Sequence, residues 1–239
     1  MSKIVPPSRS LNYDDKQAVL LEAEPEALEI DIQRTALIVV DMQNAFISKG
    51  GMVDLGGGDI LKLQTIVKPI KLISGVARIK GLKVIYIAHR YSPDLRESGG
   101  PDSPSWYKSD QKGLREHPAW RDSFLISGTW GAEIIDDLKP QGNDTLVMKP
   151  RYSAFFGTNL DIILRTYNIK YLAFTGVATN ICVETSIRDA YNLAYFPILV
   201  ADATAAMGPA AVQEATIDSV KKAFGWVTTS ENIIKTLDR

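Results

Sequence analysis

Residues 171–190 read YLAFTGVATNICVETSIRDA: an apolar run, a turn of small residues, and a helical pattern that carries the chain's one cysteine, Cys182. A strand that passes through a tight turn into a helix is half of a βαβ unit, and its repetition along the chain decides the fold. Ala36–Val40 is a second continuous apolar run, ending in Asp41, as expected of a strand buried on both faces of a parallel sheet. Lys83–Ala88, Thr145–Met148, Phe196–Val200 and Phe224–Val227 extend the series. Between the runs lie helical patterns at Ile60–Lys80, Thr158–Tyr167, Ile181–Ala194 and Ala210–Ala223. Strands alternating with helices predict right-handed crossovers and a three-layer α/β/α sandwich, Rossmann-like, around a mainly parallel sheet of about six strands.

With 239 residues and 45% hydrophobic content, the chain can bury one large core. Its 27 basic and 28 acidic residues leave no electrostatic footprint for nucleic acid, and no polybasic run points to a membrane surface. One cysteine excludes an intrachain disulfide, and no apolar stretch approaches the ~20 residues that span a bilayer. A cytoplasmic protein is the expectation. Residues 1–33 form a lead-in whose Leu, Ala and Glu between Ala18 and Leu28 suggest some helix; it drapes over the domain or a neighbouring subunit, or stays a flexible tail. Residues 34–239 read as a single domain with an insertion at about 90–140, where prolines and tryptophans crowd between short helical patches.

In open α/β sheets, ligands bind beyond the C-terminal ends of the strands. Here those ends deliver Asp41 with Gln43, Asn44 and Phe46; His89 and Tyr91; Lys149 with Tyr152 and Phe155; and the turn Gly176–Cys182. An acid, a lysine and a thiol thus meet on one edge. A thiol in the first turn of a helix feels the unpaired N–H groups there, which favours thiolate and predicts a lowered pKa.

VVDMQNAF, the lysine of VMKPRYSAFF, and TGVATNICVETSIRDA together resemble the signature blocks of the isochorismatase-like, or cysteine hydrolase, superfamily. Within it the chain is most similar to the ureidoacrylate amidohydrolases of bacterial pyrimidine breakdown, through GGPDSPSWYKS, KPRYSAFFGTNLDIILR and FGWV. The resemblance implies a catalytic triad of Asp41, Lys149 and Cys182. It also implies a non-proline cis peptide between Val177 and Ala178, and an oxyanion hole from the backbone N–H groups of Ala178 and Cys182. The activity it implies is hydrolysis of a ureido or carbamoyl C–N bond through a thioester, with biuret or triuret hydrolysis, N-carbamoylsarcosine amidase activity, or a non-catalytic scaffold as alternatives. Members of the superfamily are commonly homo-oligomers, and a dimer or tetramer is expected.

A flat ureido acid needs polar partners for its amide end, apolar walls, and a cation for its carboxylate. Gln43, Asn44, His89 and Tyr91 suit the first, Phe46, Trp106, Tyr152 and Phe155 the second, and Arg90, Arg151 or Lys108 the third. Thr179 and Asn180 read as caps and braces of the turn, and Arg188 and Asp189 as structural. No metal or other cofactor is expected: with two histidines in the chain, His89 followed by Asp94 is too sparse for a site that wants three or more protein ligands.

Overall fold

The protein is described here from a computed structural model covering residues 18–238. Two short strands, β1 (Ala18–Leu21) and β2 (Leu28–Asp31), form an antiparallel hairpin. The main sheet comprises β3 (Thr35–Val40), β4 (Lys83–His89), β5 (Thr145–Lys149), β6 (Tyr171–Val177), β7 (Phe196–Ala205) and β8 (Trp226–Thr228). Its order is β5-β4-β3-β6-β7-β8, with every pairing parallel. The helices are α1 (Asn44–Ile47), α2 (Met52–Leu55), α3 (Ile60–Gln64), α4 (Val67–Ile79), α5 (Ser109–Glu116), α6 (Leu160–Thr166), α7 (Glu184–Asn192), α8 (Ala210–Ser219) and α9 (Ser230–Leu237).

Alternation along β3 builds the layers. Leu37 and Val39 point into one core with Ile70, Ile73 and Ala77 of α4 and Ile233 and Leu237 of α9. Ala36, Ile38 and Val40 point into the other, with Leu160 and Leu164 of α6 and Ile187 and Ala190 of α7. Each fully buried Leu or Ile contributes about 1.5–3 kcal/mol through lost water contact, so two cores of this size hold the sheet from both sides.

The Ala18–Leu28 stretch is a correction: it is strand and turn, not helix. Leu21, Leu28 and Ile30 are buried at a two-residue alternation, against α9 and the sheet, and Pro25 breaks any helix drawn through the middle. The turn is tied down by backbone bonds between Glu24 and Val227 in both directions, and by Thr228 Oγ1 donating to the Glu22 carbonyl. The part of the lead-in before Ala18 lies outside the described residues. The long helix expected over Ile60–Lys80 is also divided, into α3 and α4, and the sixth strand begins two residues later than its apolar run.

The chain runs outward through β3, β4 and β5, then returns to β6 on the other side of β3 and runs outward again. The crevice where that order reverses, at the C-terminal ends of β3 and β6, is where such sheets bind ligands. Gly176 sets its shape. It has φ +103°, and a Cβ there would stand 2.0 Å from the Val40 carbonyl oxygen, so glycine is what lets β6 run so close to β3.

Candidate active site

Asp41 follows β3 in the left-handed region, φ 51°, a conformation that Asp tolerates better than most residues. Its N–H still donates to Ile87, and its carbonyl accepts from Gln43, so the strand ends in a sharp turn with the carboxyl fully buried. Lys149, the last residue of β5, is also fully buried, and its ammonium lies 2.8 Å from Asp41 Oδ2. The same ammonium donates to Cys182 Sγ at 3.3 Å and to the Arg151 carbonyl at 3.1 Å. Asp41 Oδ1 accepts from the His89 backbone N–H at 2.9 Å, while Oδ2 keeps the ion pair and no directed hydrogen bond. Asp41, Lys149 and Cys182, from three separate stretches of sequence, are therefore in mutual contact.

The turn that carries Cys182 differs from the expected simple helix start. Thr179–Val183 is one π-helical turn ahead of α7, with the Ala178 carbonyl accepting from both Ile181 and Val183. Such turns recur at functional sites because they displace side chains from the regular helical positions. Val177–Ala178 is a cis peptide. Asn180 braces the turn by exchanging two hydrogen bonds with the Met207 backbone, whereas the buried Thr179 hydroxyl caps nothing. Ser186 holds the turn from behind: its Oγ donates to the Cys182 carbonyl at 2.6 Å and accepts from the Ala154 N–H. Asp189 accepts from Ser153 at 2.5 Å, fastening the segment after Lys149 to the same helix.

The expected low thiol pKa is a second correction. Burial pushes the Cys182 thiol up; Lys149 pulls it back, but Asp41 beside it pushes the same way as burial. Burial also raises Asp41 against the pull of Lys149. For Lys149, burial works against the charge, yet Asp41 and Cys182 together raise its pKa. The three groups are close enough to titrate as one unit, in which burial pushes the thiol and the carboxyl up while Asp41 and Cys182 hold the ammonium charged.

His89 lies at the end of β4 in register with Lys149, and burial, then Lys149 and Arg151, hold its ring neutral. Its Nε2 is 3.0 Å from the Tyr91 hydroxyl, and the Tyr152 ring stands edge-on to it. The other expected contact residues are used elsewhere. Gln43 is fully buried and donates to the His89 and Ala132 carbonyls while accepting from the His89 N–H, so both of its amide hydrogens are engaged within the protein. Asn44 bonds Trp130 and Ser48, beside a separate surface cavity. Phe46 packs in the core, and Phe155 stacks on Tyr195. Trp106 lies under the Arg115 guanidinium. Of the cations, Arg151 donates to the Glu97 and Pro150 carbonyls, and Arg90 to Ala132. Two buried polar residues of α5, Asp110 and Gln111, approach Tyr91 and escaped the sequence reading, because a lone acid in a long insertion carries no local signal.

Asp41, His89 and Cys182 bring a carboxylate oxygen, a ring nitrogen and the sulfur within 4.8 Å of one another, a grouping able in principle to hold a metal. The donor set fits one poorly. Lys149 sets a positive charge 2.8 Å from the carboxylate and 3.3 Å from the sulfur, where a cation would have to replace it. Asp94, the other acid considered, is paired with Arg96 at the surface.

Known proteins share this arrangement of strands. The isochorismatase domain family model matches residues 35–232. A ureidoacrylate amidohydrolase RutB of Rhizobium rhizogenes is 42% identical over 100% of this chain and 98% of its own. One of Agrobacterium fabrum is 46% identical over 87% and 92%. Among solved structures, a cysteine hydrolase from Pseudomonas syringae pv. phaseolicola superposes with a TM-score of 0.74 at 29% identity, covering 92% of this chain and 97% of its own. N-carbamoylsarcosine amidase from Thermoplasma acidophilum gives 0.61 at 28% identity, covering 83% and 97%. With its strand order, its site at the sheet's switch point and these likenesses in agreement, the chain belongs to the isochorismatase domain family.

Proposed function

We propose that this protein is a ureidoacrylate amidohydrolase that works through Cys182, releasing aminoacrylate and carbamate. The observation that carries the reading is the buried Lys149 ammonium in contact with both Asp41 and Cys182. The names of the relatives at 42–46% identity supply the substrate. In the mechanism, Cys182 Sγ attacks the ureido carbon as its proton passes to Asp41, whose raised pKa suits it to that task. Lys149 keeps its charge throughout and stabilises sulfur as it turns anionic. The backbone N–H groups of Ala178 and Cys182 receive the oxyanion, each such donor being worth roughly 3 kcal/mol. Collapse of the tetrahedral adduct breaks the C–N bond, and Asp41 returns the proton to the departing amine. The carbamoyl thioester is then attacked by water, whose proton goes to Asp41; the C–S bond breaks, carbamate leaves and the thiol is restored.

None of the steps calls on a metal. No helix of the described residues is long and apolar enough to cross a membrane, and a cytoplasmic homo-oligomer with one hydrolase domain from residue 34 onward completes the proposal. The test is a side-by-side assay on ureidoacrylate, biuret, triuret, N-carbamoylsarcosine and nicotinamide. Ureidoacrylate should give the highest kcat/KM, and Cys182→Ala should abolish turnover with its circular dichroism unchanged. Substantial activity in that variant would sink the covalent scheme, and preference for N-carbamoylsarcosine would move the protein towards its structural neighbour.

A further inference from the structure

One buried acid has no part in this chemistry. Asp110, in the first turn of α5, is 7% exposed, and its Oδ2 has no hydrogen-bond partner. A buried carboxyl oxygen left unpaired is destabilising, and native proteins rarely keep one unless something arrives to pair with it. Its surroundings say where that partner sits. The Asp110 carboxyl is hydrogen-bonded with the Tyr91 hydroxyl and lies within the field of the Lys149 ammonium, so only Oδ2 is left without a partner. Tyr91 in turn contacts His89 Nε2, and His89 stands within 4.8 Å of the Asp41 carboxylate and Cys182 Sγ. Through Tyr91 and His89, α5 thus links an acceptor to the residues that surround the thiol.

The polarity of that wall selects the ligand. His89 is held neutral, Tyr91 is held protonated by burial and then by Asp110, and Lys149 is already engaged with Asp41, Cys182 and the Arg151 carbonyl. A ligand carboxylate set against Asp110 meets a like charge, whereas an N–H meets an open acceptor. A ureido group carries N–H donors beside the carbon that the thiol attacks. We propose that Asp110 is a specificity-determining residue, its Oδ2 accepting a hydrogen bond from the terminal NH2 of the ureido group and so turning the substrate's carboxylate end away from α5. The inference rests on the ureido reading of the site.

The test compares wild type, Asp110→Asn and Asp110→Leu on ureidoacrylate and on 3-acetamidoacrylate, in which a methyl replaces the terminal NH2. The ureido-over-acetamido ratio of kcat/KM should fall about 10- to 100-fold in Asp110→Leu, and by no more than a few-fold in Asp110→Asn, which keeps an acceptor oxygen. Asp110→Ala carries the same expectation if the leucine variant does not fold. An unchanged ratio in a folded leucine or alanine variant overturns the proposal. Protection of Cys182 from iodoacetamide by methylurea, compared with N-methylacetamide, reads the same contact without turnover. Selective protection by methylurea in wild type that disappears in the leucine variant supports it, and equal protection by both compounds in wild type overturns it. If wild type leaves ureidoacrylate intact yet methylurea protects selectively, the substrate reading fails and the role of Asp110 stands.

Discussion

Lys149→Met removes the cation paired with Asp41, and the cost can be worked from the burial of the pair. Both side chains are fully inaccessible and 2.8 Å apart, so the loss leaves a carboxylate with no compensating charge in a dry site. The variant relieves this by protonating Asp41. Taking a carboxyl of ordinary pKa ~3.9 to its neutral form at pH 7 costs about 4 kcal/mol, which is the ceiling on the effect. Burial already raises Asp41 in the wild type, so part of that cost is present before the mutation, and a net loss of about 3 kcal/mol is expected at pH 7. For a chain of this size that is roughly 6–12 °C in Tm. The sign of the pH dependence follows from the raised folded-state pKa. A neutral Asp41 is no burden below the unfolded value near pH 4, and its stabilising advantage is lost as pH rises towards the folded value. Lys149→Met should therefore unfold in urea almost like wild type at pH 4.5 and much earlier at pH 8, and Asp41→Asn/Lys149→Met should recover most of the deficit while remaining inactive. A loss that is equal at both pH values, or a double variant no better than the single, would show that Lys149 matters for its packing and not for its charge.

Because burial lifts Cys182 and Asp41 together, iodoacetamide should label Cys182 at pH 7 more slowly than it labels a free cysteine, and a faster rate would restore the tuned-thiolate view. For the same reason, the acid limb of kcat/KM should lie above the ordinary aspartate range near pH 4, activity falling as pH drops through the raised Asp41 value. Ser186→Ala leaves the buried Ala154 N–H and the Cys182 carbonyl without their shared partner, so unfolding should come about 1–3 kcal/mol earlier, with a fall in kcat larger than any change in KM. Exhaustive chelation should leave full activity, since Lys149 stands where a cation would; loss of activity restored by zinc or iron would refute this.

The parts of the fold that read from sequence are those where one physical signal dominates. Apolar runs such as Ala36–Val40 have no other plausible setting than a sheet covered on both faces, and the residues just beyond them fall at the crevice by topology alone. Ala18–Leu28 misled because its Leu, Ala and Glu favour helix, while tertiary burial of Leu21 and Leu28 with Pro25 between them decides for strand. The direction of the Cys182 shift misled for a related reason: a helix start is visible in sequence, but the removal of water that outweighs it is not. Gln43 and Asn44 have the chemistry of substrate ligands, and only the structure reveals that backbone carbonyls of the insertion already use it. Asp110 shows the converse, an acid of a short helix in the insertion made notable by its burial.

Lys149 is the last residue of β5, one of the two edge strands of the sheet. β5 is zipped to β4 along one side, from Thr145 opposite Ile85 to Lys149 opposite His89, and its Leu146 and Met148 face outward, 43% and 57% exposed. A strand held in this way depends on what fastens its end, and here that is the pair of bonds from Ser153 and Ala154 to α7, just beyond the ammonium. Loss of those two bonds would let Lys149 leave Asp41 and Cys182 while both cores remain packed. In a variant without them, the loss of activity and the loss of structure would become two separate thermometers for one molecule.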